Sequence, residues 1–289
     1  MAGNYSDPYN KEGQSASFLK LGGSILKNRK GELNFDYLEN DFLPFLAPIL
    51  INYFGLVVII NGGGTVVRDL QKSMSGASND DKDQAPKQMM LGESEEIRQV
   101  VENFLPGVAN KVPSSPDELR ELIRDKEIKA IVTSWIQKGQ STDGTTERAV
   151  REHIATLPTS IIPSTVGLSV VIGSDIGEIH DKNPDKFPDT RRIRSSSLDL
   201  LIKQGTMSDL ISKREPGMNV PMTPESVAGF RYLEDQGYRP RIWYGLGTKL
   251  DSIRTFMLGE FPRSGTVLHA DTKETGLYDE REAVSQKNS

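Results

Sequence analysis

The chain has 289 residues, a formal net charge of −5 at pH 7, three histidines and no cysteine. The absence of cysteine excludes disulfides, thiolate metal sites and cysteine nucleophiles. The negative charge argues against a general nucleic-acid binder, and three histidines argue against a His-rich metal site.

In the first half of the chain, short apolar runs alternate with stretches of helical periodicity. Residues 1–15 are polar and predict a disordered leader without a secretory signal. The apolar stretch 42–58 is broken by two prolines and a glycine, which predicts a helix and a strand rather than a membrane span. The predicted elements are a strand at 17–21, a helix at 35–53 with a kink at its prolines, a strand at 56–60, a helix opened by the glycine triplet 62–64, a loop at 75–87 and a helix at 94–104.

The second half continues the same alternation. Ser115, followed by Pro116 and two acidic residues, is typical of a helix start, and this helix runs to about residue 125. The further predicted strands lie at 130–134, 168–172, 241–244 and 265–268, and the further helices at 145–155, 224–236 and 250–257. Alternation over nearly the whole chain predicts a mostly parallel sheet covered on both faces by helices.

Two of the predicted strands end in glycine turns. Lys20 and Leu21 lead into Gly22-Gly23-Ser24, and the second strand leads through Asn61 into Gly62–Gly64. Backbone N–H groups and the helix dipole at such a turn favour an anion, and glycine lets the backbone approach it closely. Lys20 would add a compact positive charge for a phosphoryl group. For a lone glycine triplet, a turn that merely needs glycine is the alternative interpretation.

Four stretches in this order resemble the amino acid kinase family, which includes acetylglutamate, uridylate and isopentenyl phosphate kinases and the related molybdenum/tungsten storage proteins. They are the two glycine turns, the nucleotide-loop-like stretch 173–189, and the closing strand-helix-strand at 244–267. The resemblance covers residues 17–270. It implies a three-layer αβα sandwich and transfer of the γ-phosphoryl group of ATP to a carboxylate or phosphate of a small metabolite. Mg²⁺ would be held mainly by the phosphates.

The resemblance also implies roles for individual residues. Lys20 would neutralise the transferring group, and Asp143 would organise the catalytic lysines. Residues implied to contact the nucleotide are Gly22, Gly23, Ser24, Ser174, Asp175, His180, Lys182 and Pro184; those implied to hold the acceptor are Gly62, Gly63, Gly64 and Arg68. A turn or N-cap for Asp143, a solvated loop for His180 and a solvated helix face for Arg68 are the alternatives.

The chain departs from the family pattern at the donor side. A second lysine usually follows a Gly-Gly-Met element, whereas residues 215–222 contain none. The turn 174–178 also lacks the usual second aspartate in place. An alternative hypothesis is therefore a non-catalytic nucleotide-binding member, either a molybdate/tungstate-type storage subunit or a regulatory subunit. A dinucleotide enzyme is a third option, against which the absence of Gly-x-Gly-x-x-Gly after the first strand counts.

The predicted organisation is an acceptor-binding lobe at 16–165, a nucleotide-binding lobe at 166–271 and a flexible tail at 272–289. Since relatives commonly pair through the N-terminal lobe, we expect a homo-oligomer or a paralogous hetero-oligomer. A small-molecule substrate, no nucleic-acid or membrane partner and a cytoplasmic location complete the expectations.

Overall fold

The computed structural model describes residues 16–28, 30–134, 168–174, 179, 191–193, 195–197, 240–269 and 281–283. The strands are β1 (Ala16–Leu21), β2 (Leu56–Asn61), β3 (Ala130–Ser134), β4 (Leu168–Ser174), β5 (Arg191–Ile193), β6 (Ser195–Ser197), β7 (Pro240–Leu246), β8 (Thr266–His269) and β9 (Arg281–Ala283). The helices are α1 (Gly23–Leu26), a π-helix (Tyr37–Phe42), α2 (Leu43–Tyr53), α3 (Gly64–Ser73), α4 (Asn79–Glu102), α5 (Pro116–Arg124) and α6 (Leu250–Met257).

Seven of the described strands form one sheet in the order β3-β2-β1-β4-β7-β8-β6. Every neighbouring pair is parallel except β7 and β8, which are antiparallel. The mostly parallel α/β architecture predicted from the sequence is therefore confirmed. The assignment of helices to two separate layers stays a prediction.

Both faces of the central strands carry buried side chains, which explains why these strands are apolar runs in the sequence. All six residues of β2 are buried, as is usual for an interior parallel strand. In β1, side chains alternate between the faces, so Leu19 and Leu21 lie on one face and Phe18 on the other; all three are fully buried. Leu19 and Leu21 belong to a core cluster with α2, α4 and α6.

The predicted kinked helix at 35–53 is two helical segments in continuous succession. The π-helix comes first, and α2 begins after it with Pro44 in its first turn. The N–H of Leu43 still donates to the carbonyl oxygen of Leu38 in the π-helix, whereas Pro44 has no N–H and interrupts the hydrogen-bond ladder at the start of α2. Apolar residues of α2 face the core, namely Leu43, Leu46, Ala47, Ile49 and Leu50.

The loop predicted at 75–87 is wrong, because α4 begins at Asn79 and runs through this segment. Ser78 caps the helix: its Oγ accepts a hydrogen bond from the N–H of Asp81 at 3.2 Å. The first turns of α4 are polar and contain Pro86, so the sequence shows no apolar period there. The helix still forms because it continues into the amphipathic stretch that buries Ile97 and Val101.

Three residues within the predicted tail, Arg281–Ala283, form β9, which pairs antiparallel with β5. The lobe and tail boundaries stay predictions, and the predicted helices at 145–155 and 224–236 lie outside the described residues. None of the helices that the structure describes is long and apolar enough to cross a membrane.

Candidate functional site

The ends of four parallel strands lie level at one edge of the sheet. Leu21, the last residue of β1, is in register with Asn61 of β2 and Gly173 of β4, and Asn61 is in register with Ser134 of β3. The strand order runs outward from β1 through β2 on one side and through β4 on the other. The boundary between β1 and β4 is therefore a topological switch point, where ligands of open α/β sheets bind.

The first glycine turn is bonded to the end of β4. The N–H of Gly22 donates to the carbonyl oxygen of Gly173 at 2.7 Å, and the carbonyl oxygen of Gly22 accepts from Ile25 and Leu26 at 2.9 and 3.0 Å. Gly22 thus joins β1 to β4 and starts α1. The N–H of Gly22 is therefore occupied, whereas Gly23 and Ser24 carry the first N–H groups of α1, which have no acceptor within that helix.

The second glycine turn lies directly against the first. The N–H of Gly62 donates to the carbonyl oxygen of Leu21 at 3.0 Å. A Cβ at position 62 would lie 2.8 Å from that oxygen and 3.3 Å from Gly22 Cα. Only glycine allows the two turns to approach this closely. The structure therefore brings together the two turns that the sequence singled out.

A third glycine contact joins the loop after β7 to the same edge. A Cβ at Gly173 would lie 3.0 Å from Gly247 Cα. The hydroxyl of Tyr37 in the π-helix donates to the carbonyl oxygen of Gly247 at 2.7 Å. Burial, with a smaller contribution from the Asp41 carboxylate, raises the pKa of Tyr37, so its hydroxyl stays protonated as a donor. The sequence does not indicate this role of Tyr37, since nothing local connects it to a residue 210 positions away.

The helix that follows the second turn carries the larger dipole at this edge. α3 has ten residues and starts at Gly64, with Gly63 as its N-cap, whereas α1 has only four residues. The first N–H groups of α3 have no acceptor within the helix and favour an anion. The role of Gly62, Gly63 and Gly64 in holding the acceptor stays a prediction.

A buried polar cluster beneath the second turn was also missed. Lys27 Nζ lies 2.6 Å from Glu93 Oε1 and donates to the carbonyl oxygen of Gly63 at 3.3 Å. Asn61 Nδ2 donates to Glu93 Oε2 at 3.3 Å and to Ser94 Oγ at 3.5 Å. The only sequence signal is the position of Glu93 on α4, three residues after the buried Met90 and four before the buried Ile97, and this by itself does not name a partner.

The structure describes some of the other predicted site residues and not others. Lys20 is partly buried one residue before the end of β1, between Ile60 and Ile172 of the neighbouring strands. Ser174 ends β4, and Arg68 lies in α3, although the structure describes neither side chain. Asp143, Asp175, His180, Lys182 and Pro184 lie outside the described residues. Within the described residues no group of three or more histidine or acidic side chains is arranged to hold a metal ion.

The fold is shared with solved structures of small-molecule kinases. Uridylate kinase from Archaeoglobus fulgidus is 20% identical with a TM-score of 0.63, over 87% of this chain and 99% of that chain. Isopentenyl phosphate kinase is 13% identical with a TM-score of 0.54 over the same shares, 87% and 99%. UMP kinase from Ureaplasma parvum is 12% identical with a TM-score of 0.55, over 89% and 97%. No protein-family model and no curated protein matches the sequence.

These observations define a class of fold. It is a mostly parallel α/β sheet in which three glycine contacts lie at one edge of the sheet, beside the topological switch point. More specifically, the chain has the fold of the amino acid kinase family, as the order of its motifs predicted.

Proposed function

We propose that this chain is an ATP-dependent kinase that transfers the γ-phosphoryl group to a carboxylate or phosphate of a small metabolite. The observation that carries the proposal is the backbone contact between the turns at Gly22-Gly23 and Gly62, at the switch point of a fold shared with uridylate and isopentenyl phosphate kinases. That fold by itself does not specify a reaction. The two glycine turns support a phosphoryl-transfer reaction more specifically, because they bring two sets of backbone N–H groups together at the switch point.

Phosphoryl transfer needs alignment and positive charge more than covalent help from the protein. In the proposed mechanism the N–H groups of Gly23 and Ser24 contact the transferring group from one side. The turn at Gly62–Gly64 holds the acceptor from the other side, and the ammonium of Lys20 stabilises the charge on the non-bridging oxygens. Arg68 in α3 would contact an acidic acceptor.

The nucleotide would lie on the β4 side of the switch point. Ser174 and Asp175 would begin its pocket, His180, Lys182 and Pro184 would continue it, and Asp143 would orient Lys20. Bound Mg²⁺ would be held mainly by phosphate oxygens and would neutralise part of their charge. The described residues fit this arrangement, because they supply N–H donors and an ammonium rather than a carboxylate cage.

The test is ADP release by the purified protein with Mg-ATP and a panel of small carboxylates and monophosphates. The Lys20→Ala variant should lose turnover by roughly 100- to 1000-fold, as removal of a preorganised charge typically does. Lys72→Ala is the matched control, since Lys72 is an exposed lysine on α3 and should leave turnover unchanged. No ADP from the unmodified protein with any acceptor would contradict the proposal.

A second candidate is a nucleotide-binding storage or regulatory subunit without turnover. The lack of a lysine in residues 215–222 favours it, because donor phosphates would then have one cation fewer. Such a protein would still be stabilised by nucleotide, by about 2.7 kcal/mol at a concentration 100 times Kd. Thermal stabilisation by Mg-ATP without ADP release would identify it. Self-association and a cytoplasmic location stay predictions for either candidate.

A further inference from the structure

A buried ion pair connects α1 with the middle of α4. Lys27 follows α1 directly, and its backbone N–H donates to the carbonyl oxygen of Gly23 at 2.9 Å. Its side chain is 3% exposed, and that of its partner Glu93 is 15% exposed. The proposed transfer mechanism uses neither group. Replacing a buried ion pair by apolar residues is often neutral or stabilising, so stability alone does not account for this one.

The pair contacts the second glycine turn at one point and the residue before the turn at another. Lys27 Nζ binds the carbonyl oxygen of Gly63, while Glu93 binds the side-chain amide of Asn61, the residue before the turn. Lys27 also follows the last residue of the first turn, Ser24, by only three residues. The ion pair therefore links the two glycine turns through side chains, in addition to their backbone contact at Gly62.

We propose that Lys27 and Glu93 are positioning residues that fix the orientation of the Gly62–Gly64 turn toward the transferring phosphoryl group. A trans peptide is planar, so the carbonyl oxygen of Gly63 and the N–H of Gly64 point in opposite directions. With the oxygen held by Lys27, the N–H of Gly64 points out of the N-terminus of α3. The kinetic consequence rests on the proposed kinase function, but the structural consequence does not.

The first experiment measures backbone hydrogen exchange in the 289-residue chain at Gly62, whose N–H is bonded to Leu21, and at Val67, where the intrahelical bonds of α3 begin. The variant is Lys27→Met with Glu93→Gln, which removes both charges together and leaves neither one buried alone. The matched control is Val101→Ala, a buried residue on the same helix whose truncation destabilises the core without touching the cluster. We expect about tenfold faster exchange at Gly62 and Val67 in the double variant when the proteins are compared at equal global stability. Equal exchange in the double variant and the control would overturn the inference.

The second experiment measures steady-state kinetics of the same three proteins. The double variant should lose roughly 10- to 100-fold in kcat, because a small misplacement of a positioning group has effects of that size. The KM for Mg-ATP should stay within about twofold, since the turn lies on the acceptor side, and Val101→Ala should keep its kcat. If the unmodified protein has no turnover, the proposed function fails and the exchange experiment alone decides this inference. If turnover exists and the double variant matches the control in both experiments, this inference fails and the function stands.

Discussion

At the scale of single residues, the site depends on backbone atoms that approach one another more closely than any side chain would allow. Gly62 is the clearest case, because an added Cβ would meet backbone atoms of Leu21, at the end of β1, and of Gly22 and Gly23 in the first turn. The steric requirement is independent of the ligand. It therefore predicts an effect on stability as well as on function.

Gly62→Ala should lower the free energy of unfolding by about 1–3 kcal/mol, the usual effect of an overpacked contact. It should also reduce any nucleotide-dependent activity by displacing the two turns. Gly92→Ala is the matched control: nothing lies within 4 Å of a Cβ at this exposed position in α4. That change should stabilise the protein by about 1 kcal/mol through helix propensity. Denaturant unfolding of both variants checks the pair, and equal effects of the same sign would contradict the assignment.

At the scale of elements, α5 shows how a local sequence signal defines a helix end. Ser115 Oγ accepts from the N–H of Glu118 at 3.2 Å, and the Glu118 carboxylate accepts from the N–H and the hydroxyl of Ser114 at 2.7 and 2.8 Å. The predicted helix start is confirmed because every partner lies within four residues. Two predictions follow from these bonds.

Ser115→Ala should destabilise the protein by about 1 kcal/mol, since the N–H of Glu118 loses its acceptor. Ser73→Ala is the comparison: this exposed serine donates to a carbonyl oxygen within α3 and caps no N-terminus. It should change stability by less than about 0.5 kcal/mol. Chemical denaturation of both variants provides the measurement. A Ser115 effect no larger than that of Ser73 would mean that the cap is not stabilising.

The hydrogen bonds from Ser114, followed by the one from Lys111, lower the pKa of Glu118 from its ordinary value of 4.5 to about 2. A depressed carboxyl pKa stabilises the folded state above pH 4.5, and this stabilisation is lost as the pH falls from 4.5 toward 2. Glu118→Gln should therefore be less stable than the unmodified protein at pH 7, with the difference shrinking toward pH 2. Unfolding measured across this pH range checks it, and a constant difference would contradict it.

The elements that sequence reasoning found are those whose signal is local. β3 and α6 lie where predicted, because an apolar run or an amphipathic period can be recognised within a few residues of sequence. The polar first half of α4 was missed because its stability depends on a cap and on the apolar half that follows. β6 is three serines, whose pairing with β8 no periodicity can indicate.

In the candidate site, too, the residues with a local sequence pattern were predicted and those that depend on distant contacts were not. The glycine turns were predicted because a strand followed by glycines is a continuous sequence pattern. Lys27 and Glu93 were not, because the atoms that meet are 66 residues apart and either residue alone is typical of a surface position. Tyr37 was missed for the same reason. Contacts of this kind become visible only when the chain is folded.

At the scale of the whole molecule, one core cluster joins strands on both sides of the switch point. It contains Val57 of β2 and Leu19 of β1, and it continues through Val171 of β4 to Trp243 of β7. The two groups of strands that would hold acceptor and nucleotide therefore share packing beneath the site. A core of this kind favours a single cooperative unfolding transition for the described residues.

Leu19→Ala, in the centre of this cluster, should lower the free energy of unfolding by about 2–5 kcal/mol. The transition should stay single, because the cavity weakens both sides of the sheet together. Ile51→Ala is the control, since Ile51 is 48% exposed on α2 and should change stability by less than about 0.5 kcal/mol. Urea unfolding followed by fluorescence and by circular dichroism checks both variants. Two separate transitions would show that the halves unfold independently.

A crystal structure of the protein with Mg²⁺ and a non-hydrolysable ATP analogue would test the proposed phosphoryl-transfer site directly. We expect the terminal phosphate within hydrogen-bond distance of the N–H groups of Gly23 and Ser24, with the Lys20 ammonium beside it and the turn at Gly62–Gly64 facing it. A nucleotide bound elsewhere, or a Lys20 ammonium directed away from its phosphates, would contradict the proposed site.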